Sequence, residues 1–184
     1  ATLFLILLAP VALVIAGLMG ITSGRPVLYR GQRVGRAGHF FEMLKFRTLK
    51  RGAEDRIGQY LGEELVHRTD AELTRIGRWL KKSQLDEIPQ LWNVLRGDMS
   101  IVGPRPERPL FVAQFKDKIP QYMLRHKVKA GITGWAQVNG WRGNTSIEKR
   151  IEYDLYYIEN WSVRLDLKIM WLTLLRGFFH KHAY

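Results

Sequence analysis

An uncharged apolar run at the start of the chain constrains the fold most. Residues 1–22, from Ala1 to Thr22, contain no charged side chain. About 20 apolar residues in a helix are enough to cross the hydrocarbon core of a bilayer. A signal peptide fits poorly, because no basic segment precedes the run and no cleavage-site pattern follows it. The run therefore predicts a membrane helix, with a buried core helix as the alternative.

Pro10 lies near the middle of this run. Proline removes one helical hydrogen bond and clashes with the preceding turn. Two arrangements are open: a kinked helix that crosses the bilayer, and a re-entrant helix that breaks at Pro10 and returns to its own side. Four arginines follow between positions 25 and 36, and positive charge marks the cytoplasmic side. We expect residues 23–184 to form one cytoplasmic, membrane-associated domain.

The charge balance narrows the class of ligand. The 184 residues include 29 Lys and Arg against 17 Asp and Glu, a net charge of +12. Such a chain attracts nucleic acid, an anionic membrane surface or a phosphorylated small molecule. The absence of cysteine excludes disulfides and cysteine zinc sites, and five scattered histidines do not form a metal-binding pattern. The chain begins at Ala1 rather than at Met, and we expect it to be the C-terminal part of a longer protein.

Residue patterns after the apolar run predict an α+β fold that is mostly helical, with a small β-hairpin. The hairpin strands read VLYRGQRVG and GHFFEMLKFRTL, and the polar segment 51–70 is a helix or a loop. Gly- and Pro-rich loops are expected at 97–109 and 131–143. The expected helices cover 71–82, a segment from residue 86, 110–127, 146–161 and 166–179.

The adjacent carboxylates Asp86 and Glu87 are the central catalytic candidates. They stand at the predicted start of a helix, with Ser83 or Asp86 as the cap and Pro89 in the first turn. A helix dipole holds a carboxylate anionic there, and free backbone N–H groups can receive a phosphate. Ordinary capping by acidic residues is the alternative explanation.

Basic side chains supply candidate phosphate ligands. Lys45 and Arg47 alternate on a predicted strand, so their side chains share one face, which is either a binding face or a solvated one. Arg105 lies between Pro104 and Pro106, which fix the backbone and present the guanidinium at little entropic cost.

A third candidate set lies in the segment GITGWAQVNGWRG. The amides of Gln137 and Asn139 can bind a uracil edge or sugar hydroxyls, and Arg142 can bind a phosphate with two hydrogen bonds. The alternative is a structural glycine-rich turn packed around Trp135.

Four strings together resemble the bacterial polyprenyl-phosphate sugar-1-phosphate transferases, the monotopic phosphoglycosyl transferase superfamily. The resemblance covers nearly the whole chain, and the segments NGWRG and EKRIEYDLYYIENWS are similar to the branch that initiates exopolysaccharide or capsule synthesis, the undecaprenyl-phosphate glucose or galactose phosphotransferases. The strings are SQLDEIPQLWNVLRGDMSIVGPRP, KFRTL, GITGWAQVNGWRG and EYDLYYIENWSVRLDLKIM.

The resemblance implies a reaction and its site residues. A hexose-1-phosphate would pass from a UDP-sugar, UDP-glucose or UDP-galactose, to undecaprenyl phosphate, with release of UMP. Asp86 would be the nucleophile that forms a phosphosugar-aspartyl intermediate, and Glu87 would bind metal or activate the acceptor. Mg²⁺ would be held by both carboxylates. Lys45 and Arg105 match family motif positions, and Pro106, Gln137, Asn139, Arg142 and Arg47 complete the expected substrate-binding set.

The resemblance also implies a location at the cytoplasmic face of the bacterial inner membrane, with membrane lipids as partners. The family's hydrophobic segment is a re-entrant helix that breaks at Ser-Pro, whereas this chain has Ala9-Pro10. On this resemblance we predict that residues 1–22 form a re-entrant membrane helix. Lys81-Lys82 replaces a common Arg-Lys pair, and Trp141 intervenes before Arg142. A homodimer is compatible with the sequence.

The last predicted helix has almost no polar face, so it either lies at the lipid headgroups or packs in the core. Its apolar residues are Leu167, Ile169, Met170, Trp171, Leu174, Leu175, Phe178 and Phe179. Two other functions remain open: a membrane-anchored module that binds nucleic acid or anionic lipid, and an inactive scaffold subunit. No P-loop motif is present, which disfavours a P-loop kinase. The acidic pair beside a rigid arginine turn favours an enzyme, without nucleic acid as a partner.

Overall fold

A computed structural model describes residues 2–57, 62–143 and 145–177. Helices dominate this part of the chain and the strands form two small sheets, which confirms the predicted α+β class. The elements are α1 Thr2–Thr22, β1 Leu28–Val34, β2 Phe40–Phe46, α2 Ala53–Ile57, α3 Gly62–Ala71, α4 Arg75–Ser83, α5 Gln90–Arg96, β3 Met99–Val102, α6 Pro109–Phe115, β4 Ala130–Thr133, α7 Trp135–Val138, α8 Ile147–Glu159 and α9 Val163–Gly177.

Helix α1 covers residues 2–22 of the apolar run and is long and apolar enough to cross a membrane. It continues through Pro10, so no non-helical residue interrupts it there. One proline removes a single hydrogen bond, which a long helix tolerates. A continuous helix is compatible with both the crossing and the returning arrangement, so the re-entrant path stays a prediction. Near its C-terminal end, Ile15 and Met19 are buried against Phe46 and Leu80, which attach the helix to the domain.

The predicted hairpin is confirmed, with β1 and β2 paired antiparallel. Tyr29 stands opposite Lys45 in the register. Helix α5 is fixed to this hairpin through Asn93, which is fully buried. Its side chain accepts a hydrogen bond from Leu44 N at 2.9 Å and donates one to Glu42 O at 2.7 Å. These hydrogen bonds fix α5, which follows Asp86 and Glu87 in the chain, against β2, which contains Lys45.

A second sheet was not predicted. Strands β3 and β4 pair in parallel. Strand β3 lies within segment 97–109, β4 begins one residue before segment 131–143, and α7 lies in that second segment, although only loops were expected there. These four-residue strands have no polar–apolar alternation to reveal them. Their close approach requires glycine, since a Cβ on Gly131 would lie 2.1 Å from the backbone nitrogen of Gly103.

The helical segment predicted at 110–127 is divided. Helix α6 ends at Phe115, and a separate 3₁₀ helix runs over Tyr122–Lys127. Gln121 precedes it in the left-handed region with φ 61°, directly after Pro120. The predicted helix at 146–161 is confirmed as α8, which Ser146 caps by accepting from Lys149 N at 3.2 Å.

Helix α9 packs one face in the core and exposes the other, and its position at the lipid headgroups stays a prediction. Ile169 is fully buried in a cluster with Val102, Val138 and Tyr157, so one face packs in the core. The other face exposes apolar side chains, among them Trp171 at 61% exposure. Phe178 and Phe179 lie outside the described residues. The helix is therefore both a core element and a bearer of an exposed apolar stripe.

Candidate active site

The acidic pair lies in a tight turn between α4 and α5. Leu85, Asp86 and Glu87 form one 3₁₀ turn, entered from Gln84 in the left-handed region with φ 59° and ψ 12°. The predicted helix start at Asp86 is therefore displaced: α5 begins at Gln90, and the capping role expected of Ser83 or Asp86 is wrong. Ser83 instead ends α4 and donates back to carbonyl oxygens within it. The turn aims both carboxylates into one cavity.

Lys45 links the hairpin to the acidic pair. Its Nζ lies 2.6 Å from Glu87 Oε1 and 3.9 Å from Asp86 Oδ2. The three side chains are mostly buried, with exposed fractions of 10–16%. Burial strengthens such charge pairs, because water does not screen them. Lys45 therefore holds Glu87 tightly and leaves Asp86 less engaged.

Arg105 reaches the same carboxylate from the proline-bounded turn. Its Nη2 donates to Glu87 Oε1 at 3.1 Å, and its Nη1 donates to Gln137 Oε1 at 3.0 Å. Gln137 donates in turn to Ile132 O at 3.3 Å. Glu87 thus organises both cations, and Gln137 orients the guanidinium.

The two carboxyl groups differ electrostatically. Burial raises the pKa of Asp86 to about 6, and the cation of Lys45 opposes this shift. Burial also acts to raise the pKa of Glu87, but Lys45 and Arg105 outweigh it and lower that pKa. The sequence argument assigned the anionic state of Asp86 to a helix dipole. No α-helix begins at Asp86, so this dipole is absent. The charges of Lys45 and Arg105 favour the anion of Asp86, but burial outweighs them and the pKa is raised.

Arg142 contacts Gln84, the residue from which the catalytic turn is entered. With the Gln84 amide oriented so that its oxygen faces Arg142, that oxygen accepts from both terminal guanidinium nitrogens at 2.8 Å. Burial, followed by the charge of Arg105, lowers the pKa of Arg142. Both residues line the cavity that contains the acidic pair.

That cavity has a volume of about 700 Å³ and a basic lining. Its size falls within the range of small-ligand sites. The cationic residues around the carboxylates suit a ligand with several phosphate charges. The basic lining residues are Arg33, Lys45, Arg47, Lys50, Lys81, Arg105, Arg108, Arg142 and Arg150.

The structure brings six of the predicted residues into one cluster and places the other three, Arg47, Pro106 and Asn139, outside that cluster. Lys45, Asp86, Glu87, Arg105, Gln137 and Arg142 form one cluster. Pro106 is buried in the turn, and Asn139 donates to Trp135 O at 2.7 Å. Neither lines the 700 Å³ cavity, so both support the backbone instead of facing a ligand there.

Arg47 has a structural environment. Its guanidinium donates to four backbone carbonyl oxygens, those of Ser23, Gly24, Pro26 and Leu49, at 2.7–2.9 Å. These contacts tie the segment after α1 to the end of β2. Arg47 also lines the 700 Å³ cavity. Its predicted substrate contact therefore stays a prediction, although the backbone engages nearly all its donors.

A buried ion cluster behind the site was missed by the sequence reasoning. Arg125 lies 2.7 Å from Asp154 and 3.4 Å from Glu107, and Arg150 lies 2.7 Å from the same Glu107 oxygen. Arg125 also donates to the backbone oxygen of Arg105 at 3.0 Å. The sequence signal was weak: Glu107 follows Arg105 by two positions, but its partners are distant along the chain.

Few residues are available to hold a metal ion. Among the described residues, no group of three or more His, Asp or Glu side chains is placed to do so. Mg²⁺ commonly uses only one or two protein carboxylates together with substrate phosphate oxygens. Asp86 and Glu87, which line one cavity, fit that donor set.

Comparison with known proteins identifies the family of this chain. The sequence model described as Bacterial sugar transferase matches residues 1–180. The chain is 46% identical to the UDP-glucose:undecaprenyl-phosphate glucose-1-phosphate transferase of Escherichia coli strain K12, with 100% of the chain and 39% of that protein covered.

Two further relatives carry other sugar names. The UDP-N-acetylgalactosamine-undecaprenyl-phosphate N-acetylgalactosaminephosphotransferase of Aeromonas hydrophila is 41% identical over 91% of the chain and 39% of its own length. The UDP-galactose-lipid carrier transferase of Erwinia amylovora is 35% identical over 91% of the chain and 36% of its own length. The chain thus spans well under half of these relatives. With the family model matched over almost its entire length, the chain belongs to the bacterial sugar transferase family.

Proposed function

We propose that this chain is the catalytic part of an enzyme that transfers a hexose-1-phosphate from a UDP-sugar to undecaprenyl phosphate. The products are UMP and an undecaprenyl-diphosphate sugar. The relatives named above act, by their names, on UDP-sugars and undecaprenyl phosphate or a lipid carrier. UDP-glucose is the first donor to test, because the relative at 46% identity carries that name. UDP-galactose is the second.

The unequal pairing of the two carboxylates carries this proposal. Glu87 Oε1 is shared by Lys45 at 2.6 Å and Arg105 at 3.1 Å, whereas Asp86 Oδ2 has Lys45 only at 3.9 Å. A nucleophile needs free lone pairs, and a phosphoryl-transfer site needs fixed cations. Asp86 has the freer carboxylate that a nucleophile needs. Glu87 fixes the positions of Lys45 and Arg105, the cations that phosphoryl transfer needs.

The reaction follows in two displacements at phosphorus. The Asp86 carboxylate oxygen attacks the sugar-bearing phosphorus, and the bond to the bridging oxygen breaks, so that UMP leaves with the electron pair. An oxygen of undecaprenyl phosphate then attacks the phosphorus of the aspartyl adduct, and the Asp86 carboxylate is released. Lys45 and Arg105 stabilise negative charge on the phosphoryl oxygens during both steps. Asp86 and Glu87 would hold Mg²⁺, which supplies further neutralisation of the diphosphate.

The proposed location is the cytoplasmic face of the bacterial inner membrane, where α1 and the exposed stripe of α9 contact lipid. There the product would initiate an exopolysaccharide or capsule repeat unit. A homodimer is compatible with this arrangement.

A UMP-release assay tests the proposal. The chain, in detergent or lipid nanodiscs, is incubated with undecaprenyl phosphate, Mg²⁺ and one UDP-sugar at a time: glucose, galactose or N-acetylgalactosamine. We expect acceptor-dependent UMP formation with at least one donor, and its loss on chelation of Mg²⁺. Absence of UMP with all three donors, in preparations that are folded by circular dichroism, would contradict the proposed function.

A further inference from the structure

A second cavity adjoins the basic one and has the opposite character. It has a volume of about 320 Å³ and a mainly apolar lining. Five elements enclose it: α1, α5, the β3–β4 sheet, α7 and α9. The apolar lining residues are Phe4, Leu8, Ile88, Leu91, Ile101, Ile132, Val138, Met170 and Leu174.

The two cavities meet at the catalytic turn. Gln84, Glu87 and Arg142 line both of them. The apolar cavity therefore has one charged end, formed by the Gln84–Arg142 pair next to Glu87. A ligand with an anionic head and an apolar tail matches this distribution, because Arg142 can pair with the anion while the tail displaces water from the apolar walls.

The helices that line this cavity also carry exposed apolar residues next to their lining residues. On α1, Leu8 lines the cavity while Leu7 is 68% exposed. On α9, Met170 lines it while Trp171 is 61% exposed. An apolar tail that enters between these two helices comes from a surface that is itself suited to lipid.

We propose that the apolar cavity holds the isoprene units nearest the phosphate of the polyprenyl phosphate acceptor, and that Arg142, with Gln84, binds that phosphate. This inference rests on the proposed function and deepens it. The donor occupies the basic cavity and the acceptor the apolar one, so the substrates reach the acidic pair from different sides. The phosphate contact that the sequence analysis expected of Arg142 is thereby assigned to the acceptor.

A matched pair of α1 variants tests the assignment by kinetics. Leu8→Trp fills part of the cavity, whereas Leu7→Trp adds the same side chain at the neighbouring exposed position. For Leu8→Trp we expect the KM for undecaprenyl phosphate to rise by about tenfold or more while the KM for UDP-glucose changes by less than about twofold. Leu7→Trp should match the wild type. Equal acceptor KM values for the two variants would overturn the assignment.

Thiol protection gives a readout independent of turnover, which also serves if Leu8→Trp proves inactive. The chain has no cysteine, so Leu8→Cys and Leu7→Cys each introduce a unique thiol. Undecaprenyl phosphate should slow N-ethylmaleimide labelling of the Leu8→Cys variant by about fivefold or more, on the principle that a bound ligand removes the thiol from solvent. UDP-glucose should not protect it, and Leu7→Cys should label at one rate throughout.

The outcomes separate the two proposals. If the wild type releases no UMP, the proposed function fails whatever the labelling shows. If the wild type is active but undecaprenyl phosphate protects neither thiol, or protects both equally, the acceptor does not occupy this cavity and the inference fails alone.

Discussion

Arg125 holds the backbone of Arg105: its Nη2 donates to the carbonyl oxygen of Arg105 at 3.0 Å. Arg125 is almost completely buried, and the carboxylates of Asp154 and Glu107 balance its charge. Arg150 donates to Glu107 as well. The proline-bounded turn that presents Arg105 thus rests on a buried ion cluster, which connects stability to the geometry of the site.

Removal of Arg125 should destabilise the fold. Arg125→Met leaves Asp154 and Glu107 without their shared cation, and such a loss costs about 3–5 kcal/mol. We expect the free energy of unfolding in detergent, followed by circular dichroism in urea, to fall by that amount. Arg164→Met, at an exposed position, is the control and should change it by less than about 0.5 kcal/mol. Similar values for the two variants would show that the cluster does not stabilise the turn.

Asp86→Asn should abolish turnover. The amide oxygen is a poor nucleophile, so we expect a loss of several orders of magnitude in kcat. Intact-mass spectrometry should detect a phosphosugar adduct on the wild type when acceptor is withheld and none on Asp86→Asn. Asp117→Asn, exposed on the surface, is the matched control and should keep normal activity. Near-normal turnover in Asp86→Asn would remove Asp86 as the nucleophile.

Alanine at Lys45, Arg105 or Arg142 should lower activity by roughly ten- to a thousandfold, the range seen when a charge-stabilising contact is removed. The pattern should differ among them. Lys45→Ala and Arg105→Ala should lower kcat, because both side chains pair with Glu87 and stabilise the phosphoryl oxygens in the proposed reaction. Arg142→Ala should mainly raise the acceptor KM. Circular dichroism checks the fold, and an unfolded variant would mark its residue as structural.

Arg47 should matter for stability more than for substrate binding. Arg47→Met leaves four carbonyl oxygens without their donor. A hydrogen bond to a charged group contributes about 1.5–3 kcal/mol. Because four such bonds are lost, we expect the free energy of unfolding to fall by at least about 2 kcal/mol. The KM for the UDP-sugar, measured below the melting temperature, should stay within about twofold of the wild type. A large rise in that KM without destabilisation would restore the substrate role.

The contrast between Arg47 and Lys45 shows what the sequence could predict. Short motifs identified Lys45, Asp86, Glu87 and Arg105. Each motif forms a single strand or turn, so its local sequence is enough to reveal it. Alternation also predicted that Lys45 and Arg47 share a face, but β2 ends at Phe46. Arg47 follows directly after this end. It lines the same cavity as Lys45, but carbonyl oxygens of the preceding segment engage its guanidinium.

Long-range contacts account for most of what was missed. Arg150 and Glu107 are 43 positions apart, and their pairing depends on how α8 packs against the turn. Strands β3 and β4 are stabilised by each other and by close glycine contacts, so neither has a strong local signal. Local patterns did predict α1, the hairpin, α8 and α9. Uninterrupted apolar runs indicated α1 and α9, strand segments around a glycine-containing turn indicated the hairpin, and helical spacing indicated α8.

The path of α1 can be argued from what its two halves contact. The helix has 21 residues, about 30 Å, which is enough to cross the hydrocarbon core. Phe4 and Leu8 nevertheless line a cavity with Glu87, while Ile15 and Met19 pack against Phe46 at the other end. A helix crossing the bilayer away from a cytoplasmic domain would leave its first half beyond the reach of that domain. We therefore expect both ends of α1 on the cytoplasmic side.

Single cysteines can locate the two ends of α1 in intact cells. Ala1→Cys and Ser23→Cys variants are treated with a membrane-impermeant maleimide before and after permeabilisation. Four arginines between positions 25 and 36 favour the cytoplasm for the second end, so Ser23→Cys should label only after permeabilisation. If α1 lies along the domain, Ala1→Cys should behave in the same way. Labelling of Ala1→Cys from outside, with Ser23→Cys still protected, would demonstrate a helix that crosses the membrane and would exclude the re-entrant path, because the two ends would then lie on opposite sides.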